Sequence, residues 1–590
     1  MSAEPDAPRE DASAPERDTP PVESRAESVS VRVAVGIAIA VSILSAALVL
    51  TFDYGRDQAI YALVAREMLH GKLPYRDAFD FKPPGIFFVY AVSRGIFGAS
   101  QTGIRVLEVV SMALTAFGLV RLSELHTGRR TAGFIAAGLA SQVHAQLDFW
   151  HTAQPETFGG ALTVWGLVAA TRAWSAIAGA TETPAKILRK SALLWVASGV
   201  LFGASGLMKP PLAGAGAVVA LVASSTALLR DVLAKRKLGL RAAVPLAGMG
   251  VGGVLPVALT LAWFKAKGGL GDLHEVLFVF TPYYTKISWE NASVLPMAWY
   301  GLSEWLVTYS SALLTGLVAL ALLRPDRRAW GAAATLLGCI FVHIAGIVMQ
   351  GKFFPYHWGA TFPLTALLAG LGLERALRVS ATKLSWFGAI ACGALFAILA
   401  AARCPVPSYG ETFLDRSKLR LELVRHPPPD KQLKWDGLAT VADVDAAQNR
   451  AVAMWLRDNT PKNEPVFVWG FECVIYDLAE RELSSRYIYN VPQRAVWSAK
   501  PMQASLMAEL AKKPPSTIVV ERGDVFGMVT GNNDDSARAL WNFHELRDLI
   551  FDQYDYRLSI GDFDIYTRRT ETERDDLDFE EYGPEDERGQ

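Results

Sequence analysis

The sequence is short of net charge, cysteine and internal repeats, and each shortage removes a class of function. Formal net charge is −1 over 590 residues. No broad basic surface is therefore present, which excludes a nucleic-acid partner. Only four cysteines occur, and they lack metal-like spacing. Cys339 and Cys392 fall inside apolar blocks, where a small buried thiol is the expected role, while Cys404 and Cys473 can pair only in an oxidising compartment. No solenoid-type repeat is found, and no cleavable signal pattern opens the chain.

Apolar sequence is abundant instead. Hydrophobic residues make up 51% of the chain, with 16 tryptophans and a positive mean hydropathy. About eleven apolar blocks approach the ~20-residue length that crosses a bilayer. They are 31–50, 104–125, 131–149, 157–174, 192–207, 212–229, 242–264, 302–323, 329–349, 358–373 and 386–402. With the N-terminus inside, each inner connection ("HTGRR", the stretch with Lys186, Arg189 and Lys190, "LRDVLAKRKLGLR", "RPDRR", "ERALRVSATK") carries at least two Lys or Arg, as the positive-inside rule requires. An odd number of spans places the C-terminal segment outside. Block 86–97 is too short to span, holds Arg94, and reads as interfacial or re-entrant.

The expected fold is a polytopic α-helical membrane protein with a C-terminal soluble α/β domain. Residues 1–30 form a disordered cytoplasmic tail, 31–403 the membrane domain with a first outer loop at 51–103, and 404–442 a linker. The extracytoplasmic α/β domain covers 443–569, and an acidic disordered tail covers 570–590. Strands are predicted at "PVFVWG" and "STIVVE", a hairpin at "RLSIGDFDIYTR", and helices at 443–459, 502–512 and 536–552.

Charged and aromatic residues collect in the outer turns. In the first loop, Ile60, Leu63, Val64 and Met68 share one face of a short helix that Gly71 and Pro74 end. That helix is expected to lie on the membrane surface, apolar side down. Asp57 opens it, as a cap or as a chemical group. Asp148, His151 and Glu156 fall in "DFWHTAQPET", Lys209 in "GLMKPPL", and Lys352, Tyr356 and His357 in "QGKFFPYHW". Taken singly, Lys209 and Lys352 read as snorkelling side chains and His357 as a satisfied interfacial histidine. Together, acids and lysines on one face, where charge is costly without a task, point to an active site for an anionic, membrane-borne substrate.

The run "RDQAIYALVAREMLHGKLPYRDAFDFKPPGIFFVY" resembles the first extracytoplasmic loop of the GT-C glycosyltransferases. The nearer resemblance is to family 39, the bacterial relatives of protein O-mannosyltransferases and lipid A aminoarabinose transferases. It rests on Asp57-Gln58, Tyr61-Ala62, Gly71, Pro74-Tyr75 and Lys82-Pro83-Pro84, and departs at Gln58, where the family commonly has an acid. "TAQPETF", "GLMKPPL", "GKFFPYHW" and "VFVWGFECVIYDLAER" are similar to later family segments. The resemblance implies transfer of a sugar from a polyprenyl-phosphate donor to an unidentified acceptor at the outer face of a bacterial inner membrane. Asp57 and Glu156 would be catalytic, with Lys82, Lys209, Lys352, Tyr356 and His357 around the donor phosphate. Some family members hold a divalent metal near the acidic loops. Asp57, Asp148, His151 and Glu156 offer oxygen and nitrogen ligands here, without a recognised motif, so the metal stays open. A transporter or lipid flippase, a glycan polymerase or ligase, and a degenerate binding protein are the competing readings.

Overall fold

The computed structural model describes residues 25–178, 185–235, 240–305, 320–321, 327–383, 413–441 and 444–569. The expected terminal tails up to residue 24 and beyond 569, the apolar block 386–402, most of block 302–323, Cys392 and Cys404 lie outside these residues. Nine of the apolar blocks coincide with described helices: Arg25–Val49, Gln101–Thr127, Thr131–Gln146, Pro155–Ala178, Ala185–Met208, Pro210–Leu233, Leu240–Ala266, Arg327–Gln350 and Phe362–Lys383. Six described helices are long and apolar enough to cross a membrane. The chain is a multi-pass membrane protein.

Two of these helices meet where glycine allows the backbones to touch. A Cβ on Gly203 of Ala185–Met208 would lie 2.3 Å from the Gly253 carbonyl of Leu240–Ala266, and one on Gly252 would lie 2.0 Å from the Val196 carbonyl. Small residues of this kind let membrane helices approach closely. Gly85, which opens helix Gly85–Phe97, is pressed in the same way against the backbone of Leu207 and Met208. That contact brings the Lys82-Pro83-Pro84 turn beside Lys209.

Block 104–125 contains two charges, Arg105 and Glu108, which are both fully buried and pin loops. The Arg105 guanidinium binds Glu108 at 2.8 Å and donates to the carbonyls of Phe52, Asp53 and Phe149. Glu108 in turn accepts from the Ala153 amide at 2.6 Å. Paired charge is tolerated in such a place because each group answers the other's lost hydration.

The first-loop helix forms at Arg56–Leu69, but it does not lie one-sided on a membrane. Ile60, Leu63 and Val64 are buried, and so are Ala59, Tyr61, Ala62 and Ala65 on its other faces. The C-terminal domain covers it: Arg66 donates to the carbonyls of Tyr476 and Arg481. Nearby, the Phe79 amide donates to the Arg486 carbonyl.

In the C-terminal domain, strands β1 (Pro465–Trp469), β2 (Glu482–Leu483), β3 (Thr517–Glu521), β4 (Tyr554–Ile560) and β5 (Phe563–Arg568) form one sheet in the order β2-β1-β3-β5-β4. β1 runs parallel to β2 and β3, and the β4–β5 hairpin adds antiparallel to β3. The expected hairpin is present, turning at Gly561 with φ +56°. The helix expected over 536–552 breaks at Phe543 into Ser536–Asn542 and His544–Gln553. Segment 404–442 is more than a connector, since it contains helices Phe413–Arg425 and Lys431–Leu438. Cys473 is a buried free thiol.

Candidate active site

The departure from the family pattern at Gln58 has a structural answer. Gln58 is buried, and its amide nitrogen donates to the carbonyls of Phe149, Trp150 and Thr152 at 3.0, 3.1 and 2.6 Å. Its oxygen accepts from the Gly55 amide. A carboxylate has no hydrogens to give those three carbonyls, so glutamine here joins the two acidic loops. Gly55 takes the cap position of the helix, leaving Asp57 in the first turn with its side chain 27% exposed. Asp57 is therefore not the cap.

Asp57 faces Lys82. Lys82 Nζ lies 3.7 Å from Asp57 Oδ2 and donates to the Tyr356 hydroxyl at 3.2 Å. The backbone around Lys82 is set from both sides. Tyr75, held at φ +72°, donates its hydroxyl to the Lys82 carbonyl at 2.9 Å, and two prolines follow. Burial opposes the charge on Lys82, but Asp57 and Asp80 outweigh it and hold the ammonium above the usual lysine value.

Glu156, in the first turn of Pro155–Ala178, pairs with Lys209, the residue that caps Pro210–Leu233. Burial pushes the Lys209 ammonium down, and Glu156 works against that. The second Glu156 oxygen is buried and has no hydrogen-bond partner among the described residues. Tyr356 and His357 sit in the short helix Pro355–Thr361, with His357 Nδ1 against the Lys352 carbonyl. Burial, then Lys209 and Lys82, hold the His357 imidazole well below its ordinary value, so it is neutral. The His151 ring lies 5.9 Å from that of Tyr356, and burial lowers its pKa to about 3.

Lys82, Glu156, Lys209, Tyr356 and His357 line one polar end of a cavity of about 790 Å³. The remaining wall is mostly apolar and follows the seam of Ala185–Met208 and Leu240–Ala266, past Phe202, Val254, Val257 and Leu261, with Leu277 and Phe278 also in the lining.

Residues 81–252 match the family model described as dolichyl-phosphate-mannose-protein mannosyltransferase, a match that begins one residue before Lys82. The fold is similar to the crystal structure of ArnT from Cupriavidus metallidurans bound to undecaprenyl phosphate. The identity is 16% over 93% of this chain and 99% of that one, with a TM-score of 0.52. The chain shares that fold along nearly its whole length. ArnT in the apo state gives a TM-score of 0.51 at 15% identity, covering 92% of this chain and 98% of that one. A more remote likeness is to the Archaeoglobus fulgidus oligosaccharyltransferase, at 13% identity over 90% and 73% of the two chains, with a TM-score of 0.43. No curated protein matches the sequence.

Two expected residues stand away from this site. Asp148 is gripped by Arg416 at 2.6 Å and Arg420 at 2.7 Å, both from the segment expected as a linker. It holds that segment to the membrane domain and is not free to ligate a metal. Among the described residues, no three His, Cys, Asp or Glu side chains gather to hold an ion. Asp148→Ala is expected to destabilise the protein by about 3–5 kcal/mol, because two buried guanidinium groups each lose a counter-charge. Thermal unfolding checks this, and activity per folded molecule should be retained. Lys352 does not line the cavity. Its ammonium donates to the Met528 carbonyl and lies 4.5 Å from the Tyr284 ring centroid, and burial lowers its pKa to about 8. The turn that carries Tyr356 is thereby tied to the C-terminal domain.

The sequence pattern does not mark one further residue beside the site. Asp80, two positions before Lys82, is fully enclosed, accepting from the Tyr489 hydroxyl at 2.8 Å through Oδ1, while Oδ2 has no partner among the described residues. Burial raises its pKa to about 6, against the pull of Lys82. A carboxyl whose pKa is raised on folding stabilises the protein below its unfolded value near 4, and that contribution is lost as pH rises through about 6. Asp80→Asn is therefore expected to flatten the stability profile between pH 4 and 6, read from unfolding midpoints across that range.

Proposed function

We propose that this protein transfers a sugar from a polyprenyl-phosphate-linked donor to an acceptor hydroxyl or amine, inverting the anomeric carbon. The observation that carries the reading is the cavity. An apolar groove ends at two lysines, Lys82 paired with Asp57 and Lys209 with Glu156, which suits a greasy chain with an anionic head. A lipid phosphate already leaves readily, so the site needs positive charge where the phosphate gains it, and Lys82 and Lys209 stand there. The acceptor proton needs a base within reach, and Asp57 is the partly exposed acid beside Lys82, whereas Asp80 is buried. Glu156 holds Lys209 in place.

ArnT was crystallised with undecaprenyl phosphate, which supports the same class of donor here. The Lys- and Arg-rich connections support a cytoplasmic N-terminus and a C-terminal domain outside a bacterial inner membrane. The transporter reading loses ground because the buried Arg105–Glu108 pair holds loops and lies off the groove.

The test is transfer by purified full-length protein in lipid nanodiscs, offered a panel of polyprenyl-phosphate sugars with and without chelator. A glycosidic product is expected, and flipping or flux without product would support the transporter instead. Gly250 lines the groove, and the space its Cβ would enter is empty. Gly250→Phe is expected to weaken long-chain donors much more than short-chain analogues.

A further inference from the structure

The first-loop helix carries an arginine directly before Asp57, and this arginine is buried in the C-terminal domain. The place it enters is specific. The chain leaves β1 toward β2 on one side, whereas β3 lies on the other side of β1, all three parallel. In open α/β sheets, the crevice at the carboxyl ends of two such strands is where ligands bind.

Here the crevice is floored by Gly470, Phe471 and Glu472 after β1 and by Glu521 at the end of β3. Arg56 fills it. Its Nε and Nη2 reach Glu472 Oε1 at 2.8 and 2.7 Å, and its guanidinium lies 5.1 Å from the Phe471 ring centroid and 5.8 Å from those of Phe526 and Trp150. The other Glu472 oxygen accepts from Asn449 at 2.7 Å. Glu521 braces the floor, accepting from the amides of Phe471 and Glu472 at 2.6 and 3.3 Å. Gly470 is required, since a Cβ there would lie 2.3 Å from Glu521 Oε2. Burial, reinforced by Glu472, pushes the Glu521 carboxyl up, and Glu472 is the carboxyl that Arg56 contacts.

We propose that Glu472 is a positioning residue for the transfer reaction: through Arg56 it fixes the backbone turn that aims Asp57 at the site. The C-terminal domain thus uses its ligand crevice to hold the catalytic loop of its own chain. This rests on the transferase reading above, so the test includes a measurement that does not need turnover.

Glu472→Gln, Arg56→Lys and, as control, Arg66→Gln are made in the full-length protein. Arg66 bridges the same helix and domain at the helix's far end. Glu472→Gln is expected to lower kcat at least tenfold with donor KM close to wild type, and to lower the unfolding midpoint, because the buried Arg56 loses a counter-charge. Arg56→Lys, which keeps the charge but loses the fork, should fall between. Arg66→Gln should match wild type. In a parallel set, the four cysteines are replaced and Asp57→Cys serves as the only thiol. Alkylation of that thiol by a water-soluble maleimide should change several-fold when Glu472→Gln is added, and not with Arg66→Gln. If Glu472→Gln leaves either kcat or the alkylation rate at the wild-type value, or if Arg66→Gln reproduces both effects, the proposal is wrong. A wild type without transfer whose alkylation still responds to Glu472→Gln would sink the transferase reading and leave the positioning role standing. Should Glu472→Gln fail to fold, Arg56→Lys carries both measurements.

Discussion

Asp57→Asn is expected to lower sugar transfer by about 10²–10⁴-fold, the range associated with loss of a general base, while binding of the lipid phosphate is retained. Asparagine keeps the size of the side chain and its place in the helix's first turn. Gly55 and Gln58 supply the cap, so the helix loses nothing. What disappears is an acceptor for the proton of the incoming hydroxyl or amine. The neighbouring Lys82 also loses its ion-pair partner and becomes more available to an anion, so donor binding should hold or tighten. Single-turnover rates with preloaded donor separate the two effects. A variant that binds donor and transfers at the wild-type rate removes Asp57 from the chemistry.

Lys82→Ala is expected to damage both binding and rate. Lys82 reaches Asp57, the Tyr356 hydroxyl and the polar end of the cavity at once. Removing one group that stabilises charge developing in a transition state typically costs about 10²–10³ in rate. Here the donor also loses a cation for its phosphate in the ground state. The variant leaves Asp57 and the buried Asp80 side by side without the ammonium between them, and the Asp80 carboxyl should rise further in pKa. Equilibrium binding of polyprenyl phosphate, measured beside initial rates, checks the prediction. Near-normal donor affinity would assign the phosphate to Lys209 instead. Lys82→Arg should recover binding more fully than rate, because a planar fork cannot reproduce the point charge of lysine at the same place.

Lys82 and Asp57 were legible in the sequence because the features that mark them are local. A lysine followed by two prolines, and an acid at the start of a short helix, carry their geometry with them. The same holds for β1, β3 and the closing hairpin, whose apolar runs and turn glycine lie within a dozen residues. Asp80 was invisible for the opposite reason: its partner Tyr489 is 409 residues away. Asp148 was misplaced on the same account. An acid in an outer turn reads alike whether it faces substrate or arginine, and here Arg416 and Arg420 settle it from 268 and 272 positions downstream. The first-loop helix was given a lipid-facing side because its apolar residues share a face. Its remaining faces are covered by a domain that the local pattern does not register.

The 3.7 Å pair between Lys82 and Asp57 also sets an order of events for the proposed reaction. Before a donor binds, the nearest cation to the Asp57 carboxylate is Lys82. An arriving phosphate competes for the ammonium and releases the carboxylate toward the acceptor. For the proposed reaction this would make the donor its own trigger, since an acceptor that arrives first meets a carboxylate still beside Lys82.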